Sequence, residues 1–327
     1  MRAAVCRSYG PPEVVRVEEL AAPVPAAGQV RVSVGAAAVN FPDVLLVADD
    51  YQLSVPTPFV PGSEFAGVVA ELGDGVRDLA VGDRVSGTGL VGAFAEQTVV
   101  AAAKLGRVPD GVDDHLAAAF GVAHRTAYHA LRSMARIQPG EELVVLGAGG
   151  GVGLAAVEIG ALLGASVTAV ASSAEKLAAA ATRGARHLVD HRAGDLRAAL
   201  RTLLPGGADV VVDPVGGDLA EPALRTLHWA GRFVTLGYAS GTVPRIPLNL
   251  VLLKGVRILG FQLRDFAMHA GDDYRRNEAE LAAHLADGRL RPHVGAVFPL
   301  DEVAAALRHV ADGRAIGKVV LDLTPVS

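Results

Sequence analysis

At 327 residues and 51% hydrophobic composition, the chain is too long for one ordinary core and suits about two domains. Charged residues make up 20%, the formal net charge is −5 and aromatics are only 5%, with no Lys/Arg run, which argues against nucleic-acid binding through a basic patch or base-stacking platforms. The lone cysteine, Cys6, excludes an internal disulfide framework and a Cys-rich zinc site. The opening MRAAVCRSYGPPEVV lacks the apolar core of a signal peptide, so a reducing, cytoplasmic setting away from the membrane is expected.

From the start to about residue 120, short β-rich runs (QVRVSVGAAAV, EFAGVVAEL, DRVSGTG) alternate with Pro and Gly turns. They predict a compact, mostly antiparallel barrel. A helix is predicted from about Asp113. Next comes LVVLGAGGGVGLAAVEIGALLGA, residues 143–165, with one charged residue, Glu158, in 23. Its hydropathy would serve a membrane span of roughly 20 residues, but Gly147, Gly149, Gly150, Gly151 and Gly153 break it. LVVL reads as a strand, 152–163 as a helix closed by Gly164, and SVTAVA as a second strand: a βαβ unit. Parallel strands covered on both faces account for the apolar runs.

Such a turn suits a dinucleotide. Glycines allow a sharp bend and close approach to a pyrophosphate, and the following helix offers free N–H groups and a positive dipole end. The spacing is Ala148-x-Gly150-x-x-Gly153, not strict GxGxxG, and Ala148, Gly150, Gly151, Val152 and Gly153 are the candidate phosphate residues. The second strand ends in Ala171-Ser172-Ser173-Ala174-Glu175-Lys176. No acid stands there to hold a ribose 2′-OH, as NAD binders require. Ser172, Ser173 and Lys176 suit a 2′-phosphate, so NADPH is expected over NADH. The structural alternative is an N-cap at Ser173 and a solvated Lys176.

Four more strands follow: HLVD, ADVVVDPVGG, GRFVTLGYASG and GVRILGF. Helices are predicted at 174–182, 195–203 and roughly 218–229, giving a doubly wound parallel sheet. A helix at 272–287 is closed by Gly288. The tail then reads strand, helix, strand, rejoining the first domain. The expected organisation is 1–121 as the first part of a catalytic domain, 122–288 as the nucleotide domain and 289–327 as the return segment. The catalytic site is expected in the cleft between them.

In order, PGSEFAGVV, VGDRV, GAGGGVGLAAVEI, VVDPVGG and GKVVLDL resemble the medium-chain dehydrogenase/reductase superfamily over nearly the whole chain. VNFPDVL, TAYHAL and ASGTVPRIPLNLVLLKGV resemble its zinc-free NADPH:quinone oxidoreductase branch, related to zeta-crystallin. The resemblance implies an α/β protein: a GroES-like β-barrel catalytic domain plus a Rossmann NADP domain. Zinc-dependent relatives place a Cys near Asn40 and a His where Ser63 follows the Pro-Gly pair. Amide and hydroxyl are poor substitutes in a tetrahedral zinc site, so no functional metal is expected. His187 and His191 bracket a predicted strand end and are not read as a metal site.

The resemblance further implies Asn40, Asp43 and Tyr51 as catalytic residues lining the substrate cleft. It places Thr126 near the nicotinamide, and Lys176, His191 and Arg314 near the 2′-phosphate. Gly237 and Phe261, at the ends of the fifth and sixth strands, complete the candidate cofactor set. Structural alternatives stand beside these: a turn hydrogen bond for Asn40, a helix cap for Asp43, ring packing for Tyr51. His124 and Arg125 depart from the family pattern, as does LVADDYQLSVPTP. Arg125 would add a handle for an anionic substrate if it faces the cleft, and nothing if it faces out. The expected activity is NADPH-dependent hydride transfer to a quinone. The alternatives are reduction of activated C=C bonds (enal, enone or enoyl thioester) and a weakly catalytic NADPH-binding protein. The apolar, β-rich GVRILGF suggests edge pairing in a homodimer.

Overall fold

The computed structural model describes residues 1–324. The chain divides into two compact units, Met1–Val122 together with the return segment from Arg291, and Ala123–Leu290. The first opens with an antiparallel ribbon of β1 (Arg2–Cys6) and β2 (Val15–Glu19). In β3 (Gln29–Val39), Val30, Val32 and Val34 turn inward while alternate residues are more exposed, the period of a half-buried strand. α1 (Phe41–Ala48) follows at once, with Asn40 as N-cap and Asp43 at N3 in a capping box. Then come β4 (Glu64–Leu72), β5 (Arg84–Thr88), β6 (Gln97–Ala101), β7 (Leu105–Arg107) and α2 (Asp114–Phe120). The Asp113 side chain caps α2, accepting from Leu116 N at 2.8 Å.

The second unit runs α3 (Ala123–His129), β8 (Glu142–Leu146), α4 (Gly151–Leu162), β9 (Ser166–Ala171), α5 (Ala174–Thr182), β10 (His187–Asp190), α6 (Leu196–Leu203) and β11 (Ala208–Asp213). It continues through α7 (Ala220–Leu224), β12 (Leu227–Thr235), α8 (Leu248–Lys254), β13 (Arg257–Gly260), α9 (Leu263–His269) and α10 (Gly271–Ala286). Its six strands are all parallel, in the order β10-β9-β8-β11-β12-β13. Numbered within the unit this is 3-2-1-4-5-6, the doubly wound order whose direction reverses between β8 and β11. Val144, Leu146, Val170 and Val211 form the buried centre. Apolar runs that suggested a membrane span are thus sheet and covering helix. Among the described residues no helix is long and apolar enough to cross a membrane.

The helix expected at 218–229 is shorter. α7 stops at Leu224, where Thr226 Oγ1 donates back to Ala223 O at 2.7 Å, and residues from Leu227 join β12 beside β11. α1, α8 and α9 are short helices the sequence reading did not separate.

The return segment adds β14 (Val294–Pro299), α11 (Val303–Ala311) and β15 (Lys318–Asp322) to the first unit. The sheet there runs β14-β15-β3-β4-β5-β7, with β6 also on β3. Two registers matter below. Val319 pairs with Val39 across β15 and β3, which brings Lys318 beside Asn40, and Ala38 pairs with Glu64 across β3 and β4.

Candidate functional site

These registers gather a polar cluster in the first unit. Lys318 Nζ donates to Asn40 Oδ1 at 2.5 Å and to Glu64 Oε1 at 2.6 Å. Asn40 Nδ2 donates to the same Glu64 Oε1 at 2.9 Å and to Ser63 Oγ at 3.2 Å. The other Glu64 oxygen accepts from Val122 N at 2.7 Å. Lys318 is 3% exposed, Glu64 1% and Asn40 8%. A buried ion pair is tolerable only when its remaining lone pairs and protons are satisfied, and here they largely are. The network also fixes the Asn40 amide: the reverse orientation would set an NH2 against an ammonium and an oxygen against a carboxylate.

Asp43 lies against this cluster, fully buried, its Oδ2 accepting from Asn40 N at 2.7 Å. Burial pushes its carboxyl up from 3.8 to about 7, partly offset by the Asn40 N–H, the Ser63 hydroxyl and the Lys318 charge. Asp43 therefore does act as a helix cap. Tyr51 is half-buried and packs against the core of the same unit. Sequence reasoning missed Glu64 and Lys318. The signal was weak: a charged residue opening each of two largely apolar strands, EFAGVVAEL and KVVLD.

The donor set does not suit zinc. The Asn40 and Glu64 oxygens that a cation would need already hold an ammonium, and Ser63 and the amide are weak ligands. Among the described residues no three His, Cys, Asp or Glu side chains are grouped to bind a metal.

In the second unit the turn after β8 fits a pyrophosphate. Gly147 adopts φ +60°, in the left-handed region. A Cβ on Gly153 would stand 2.0 Å from Gly147 O, so only glycine lets α4 close on the turn. Gly150 caps α4 with no side chain, leaving the first-turn N–H groups of Gly151, Val152 and Gly153 facing outward from the helix end. Ala148 is buried, its N–H bonded to Val170 O at 3.0 Å. Across the switch point, buried Asp213 accepts from the N–H groups of Val215 and Gly216, both at 2.8 Å, shaping the loop after β11; Gly237 lies beside Pro214 in that loop.

At the end of β9, Ser173 Oγ accepts from Lys176 N at 3.4 Å, so Ser173 caps α5. Lys176 Nζ donates to Ser172 Oγ at 3.4 Å. His191 N–H bonds Ala171 O, which sets the end of β10 beside them. Burial and the nearby Arg192 charge lower the pKa of both Lys176 and His191. Three basic groups thus converge at the end of β9, with Asp190 at the end of β10 as the nearby acid, an excess of basic groups that suits a dianion. Arg192 was not among the expected residues, though it directly follows HLVDH.

Each of the other candidates is described by its own surroundings. Thr126 is on α3, partly exposed. Phe261 is buried and packs on Phe266 at 5.4 Å and His129 at 6.4 Å between ring centroids. Arg314 belongs to the first unit, where it pairs with Asp312 at 3.1 Å. Arg125 bonds Glu278 at 2.7 Å and His124 bonds Glu158 at 3.0 Å, each within the second unit. An open groove of about 810 Å³ in that unit is lined by Arg197, Arg225 and Arg245 but also Asp195, Asp218 and Glu221. Its charges balance, and it holds none of the candidate residues.

Comparison with known proteins fits this architecture. Residues 26–110 match the alcohol dehydrogenase GroES-like domain family, and residues 183–321 the zinc-binding dehydrogenase family. The chain is 38% identical over 329 residues to quinone oxidoreductase-like protein 2 of Mus musculus, covering 98% of this chain and 92% of that protein. It is 40% identical over 302 residues to polyketide synthase GfsB of Streptomyces halstedii, covering 91% of this chain and 5% of that protein. The NADPH complex of Escherichia coli quinone oxidoreductase superposes with a TM-score of 0.92 at 27% identity, covering 99% of this chain and 100% of that one. The chain belongs to the medium-chain dehydrogenase/reductase superfamily, an oxidoreductase with a GroES-like and a Rossmann domain. Within it, the chain stands in the quinone oxidoreductase branch.

Proposed function

We propose that the chain is an NADPH-dependent reductase that passes hydride to a quinone without a metal. The observation that carries this reading is the gathering of Lys176, Arg192 and the Ser172 hydroxyl at the end of β9, a strand that itself ends without the acid that favours NADH. Kinship with NADPH-bound quinone oxidoreductases supports it. The metal-free part rests on Lys318, which fills the donor set that zinc would need.

The bound cofactor supplies the hydride. The chain supplies binding, orientation and polarity. The turn at Gly150–Gly153 and the α4 N-terminus hold the pyrophosphate, while Lys176, Ser172, Arg192 and His191 take the 2′-phosphate. Thr126, Gly237 and Phe261 complete the cofactor set. On the acceptor side we assign Asn40, Asp43 and Tyr51: the Tyr51 hydroxyl is the donor for the oxygen on which negative charge develops, and the Asn40–Asp43 end of α1, its own donors already engaged, gives polar lining. A quinone is already electrophilic, so positioning carries much of the rate.

We further propose a homodimer in a cytoplasmic setting. β13 is the edge of the parallel sheet, and Ile258 on it, Trp229 on the neighbouring β12, and Leu248 and Leu252 on α8 are exposed apolar residues. A second reading, reduction of activated C=C bonds, draws support from the similarity to a polyketide synthase. The Arg125–Glu278 pair argues against Arg125 as its anionic handle. A panel of quinones, enals, enones and enoyl thioesters with NADPH and NADH decides between them. The reading predicts quinone turnover with NADPH. Turnover of enoyl thioesters alone would favour the second, and NADPH binding without any turnover a non-catalytic role.

A further inference from the structure

The open groove of the second unit takes no part in the proposed reduction. Its volume, about 810 Å³, is that of a small-molecule site. The charges on its lining cancel by number, but they differ in what they are free to do. Glu221 Oε1 already accepts from Arg225 Nη2 at 2.6 Å, and Asp195 accepts from Ala198 N at 3.0 Å as the cap of α6. Exposed Asp218 is the acid left over. Against it stand Arg197 and Arg245 on the same lining, and two further cations beside them. Arg201 follows Arg197 by four residues on α6, the spacing of one helix face. Lys254 ends α8. Burial lowers the Lys254 pKa, and the charges of Arg201, Arg197 and Arg225 lower it further, so these groups share one neighbourhood. Among the described residues, none of Arg197, Arg201, Arg245 and Lys254 forms an ion pair, unlike Arg225. Arg197 Nε is also shut off from solvent and has no acceptor. A donor left that way costs free energy that a bound anion would restore.

We propose that this groove is a second anion site of the unit, separate from the group around Lys176, and that it takes a small molecule carrying two or more phosphoryl groups. Phosphoryl groups are favoured because guanidinium forks match their oxygens in pairs. More than one is called for because Arg197, Arg201, Arg245 and Lys254 together outweigh the charge of a single phosphate, about −2 at most. A small ligand is favoured over an acidic protein because the cations border a concave groove of ligand size. The site goes beyond the reductase reading and does not depend on which acceptor the chain reduces.

The test is calorimetric titration of inorganic tripolyphosphate into the chain under saturating NADPH, so that the cofactor's own phosphate groups are already held. Binding is expected, and it should weaken as salt is added. Arg197→Ala with Arg201→Ala should weaken it by about tenfold or more, the order of a lost charged hydrogen bond. The denaturation midpoint and NADPH affinity of that variant should stay near wild type. Exposed Lys104→Ala, in the first unit, should leave tripolyphosphate binding unchanged. Should the first variant not fold, Arg201→Ala with Arg245→Ala, both at exposed positions, decides in the same way. No binding under saturating NADPH overturns the proposal, as does wild-type affinity in a folded double variant or an equal loss with Lys104→Ala. Sulfate competing as well as tripolyphosphate at equal ionic strength also overturns it, because the groove would then gather charge without selecting phosphoryl groups. Binding of oligoglutamate with none of tripolyphosphate overturns it in favour of an acidic protein partner.

Discussion

Each unit places a lysine in a polar cluster, and the two are used in opposite ways. Lys318 is buried between Asn40 and Glu64, its charge matched by a carboxylate within one sheet. Lys176 is half-exposed at a strand end, beside Ser172, Arg192 and His191, where positive charges are crowded together. The first arrangement is complete as it stands. The second gathers like charges, offset in part by Asp190, and a dianionic ligand would relieve their repulsion. What surrounds each lysine suits it to a different use: a buried carboxylate suits Lys318 to a structural pair, and a gathering of cations suits Lys176 to the binding we propose.

The largest effect should come from breaking the completed cluster. Lys318→Met leaves Glu64 buried and unpaired, which costs about 3–5 kcal/mol, read as a lowered denaturant midpoint. A loss below about 1 kcal/mol would mean the pair is effectively solvated, as surface pairs are.

Asp43 sharpens the same side through pH. Its folded value is raised from 3.8 to about 7, so between those values the folded chain keeps a proton that the unfolded chain has released. Stability from this group is full below about pH 4 and is lost as pH rises through about 7. Asp43→Asn should flatten that decline in urea unfolding across this range. An unchanged profile would show that Asp43 does not titrate there.

The nucleotide side should respond in binding, not stability. Lys176→Ala removes a charged hydrogen bond worth about 1.5–3 kcal/mol and should weaken NADPH roughly tenfold to a hundredfold while sparing NADH. Equal loss for both cofactors would show that Lys176 does not read the 2′-phosphate. Tyr51→Phe comes next, with a fall in quinone kcat/KM of about tenfold, roughly 1.4 kcal/mol, and unchanged NADPH affinity. No change with any acceptor would make Tyr51 a packing residue. Smallest should be Arg192→Ala: the residue is exposed, so about 1 kcal/mol or less in NADPH binding.

The two regions also differ in how far the sequence revealed them. The glycine turn was readable because its evidence is local: LVVL, then glycines, then a helical run, then SVTAVA. Gly153 is glycine because a Cβ would collide with a carbonyl six residues earlier. The cluster around Asn40 was only half readable. Asn40 and Asp43, three apart, carry the spacing of a capping box within the chain itself. Their partners do not. Lys318 is 254 residues from Glu64, and only the β15–β3–β4 register joins them. The over-long helix at 218–229 failed for a similar reason. Leu227 pairs with Ala208 on β11, a contact that periodicity does not contain.

The central claim is that this chain reduces a quinone with NADPH while an ammonium, not a metal, occupies the acceptor-side donor set. The most direct measurement is NADPH oxidation by a quinone on protein whose zinc content has been determined, before and after chelation. The account predicts turnover with less than stoichiometric zinc and no loss on chelation. Stoichiometric zinc that leaves together with activity would contradict it.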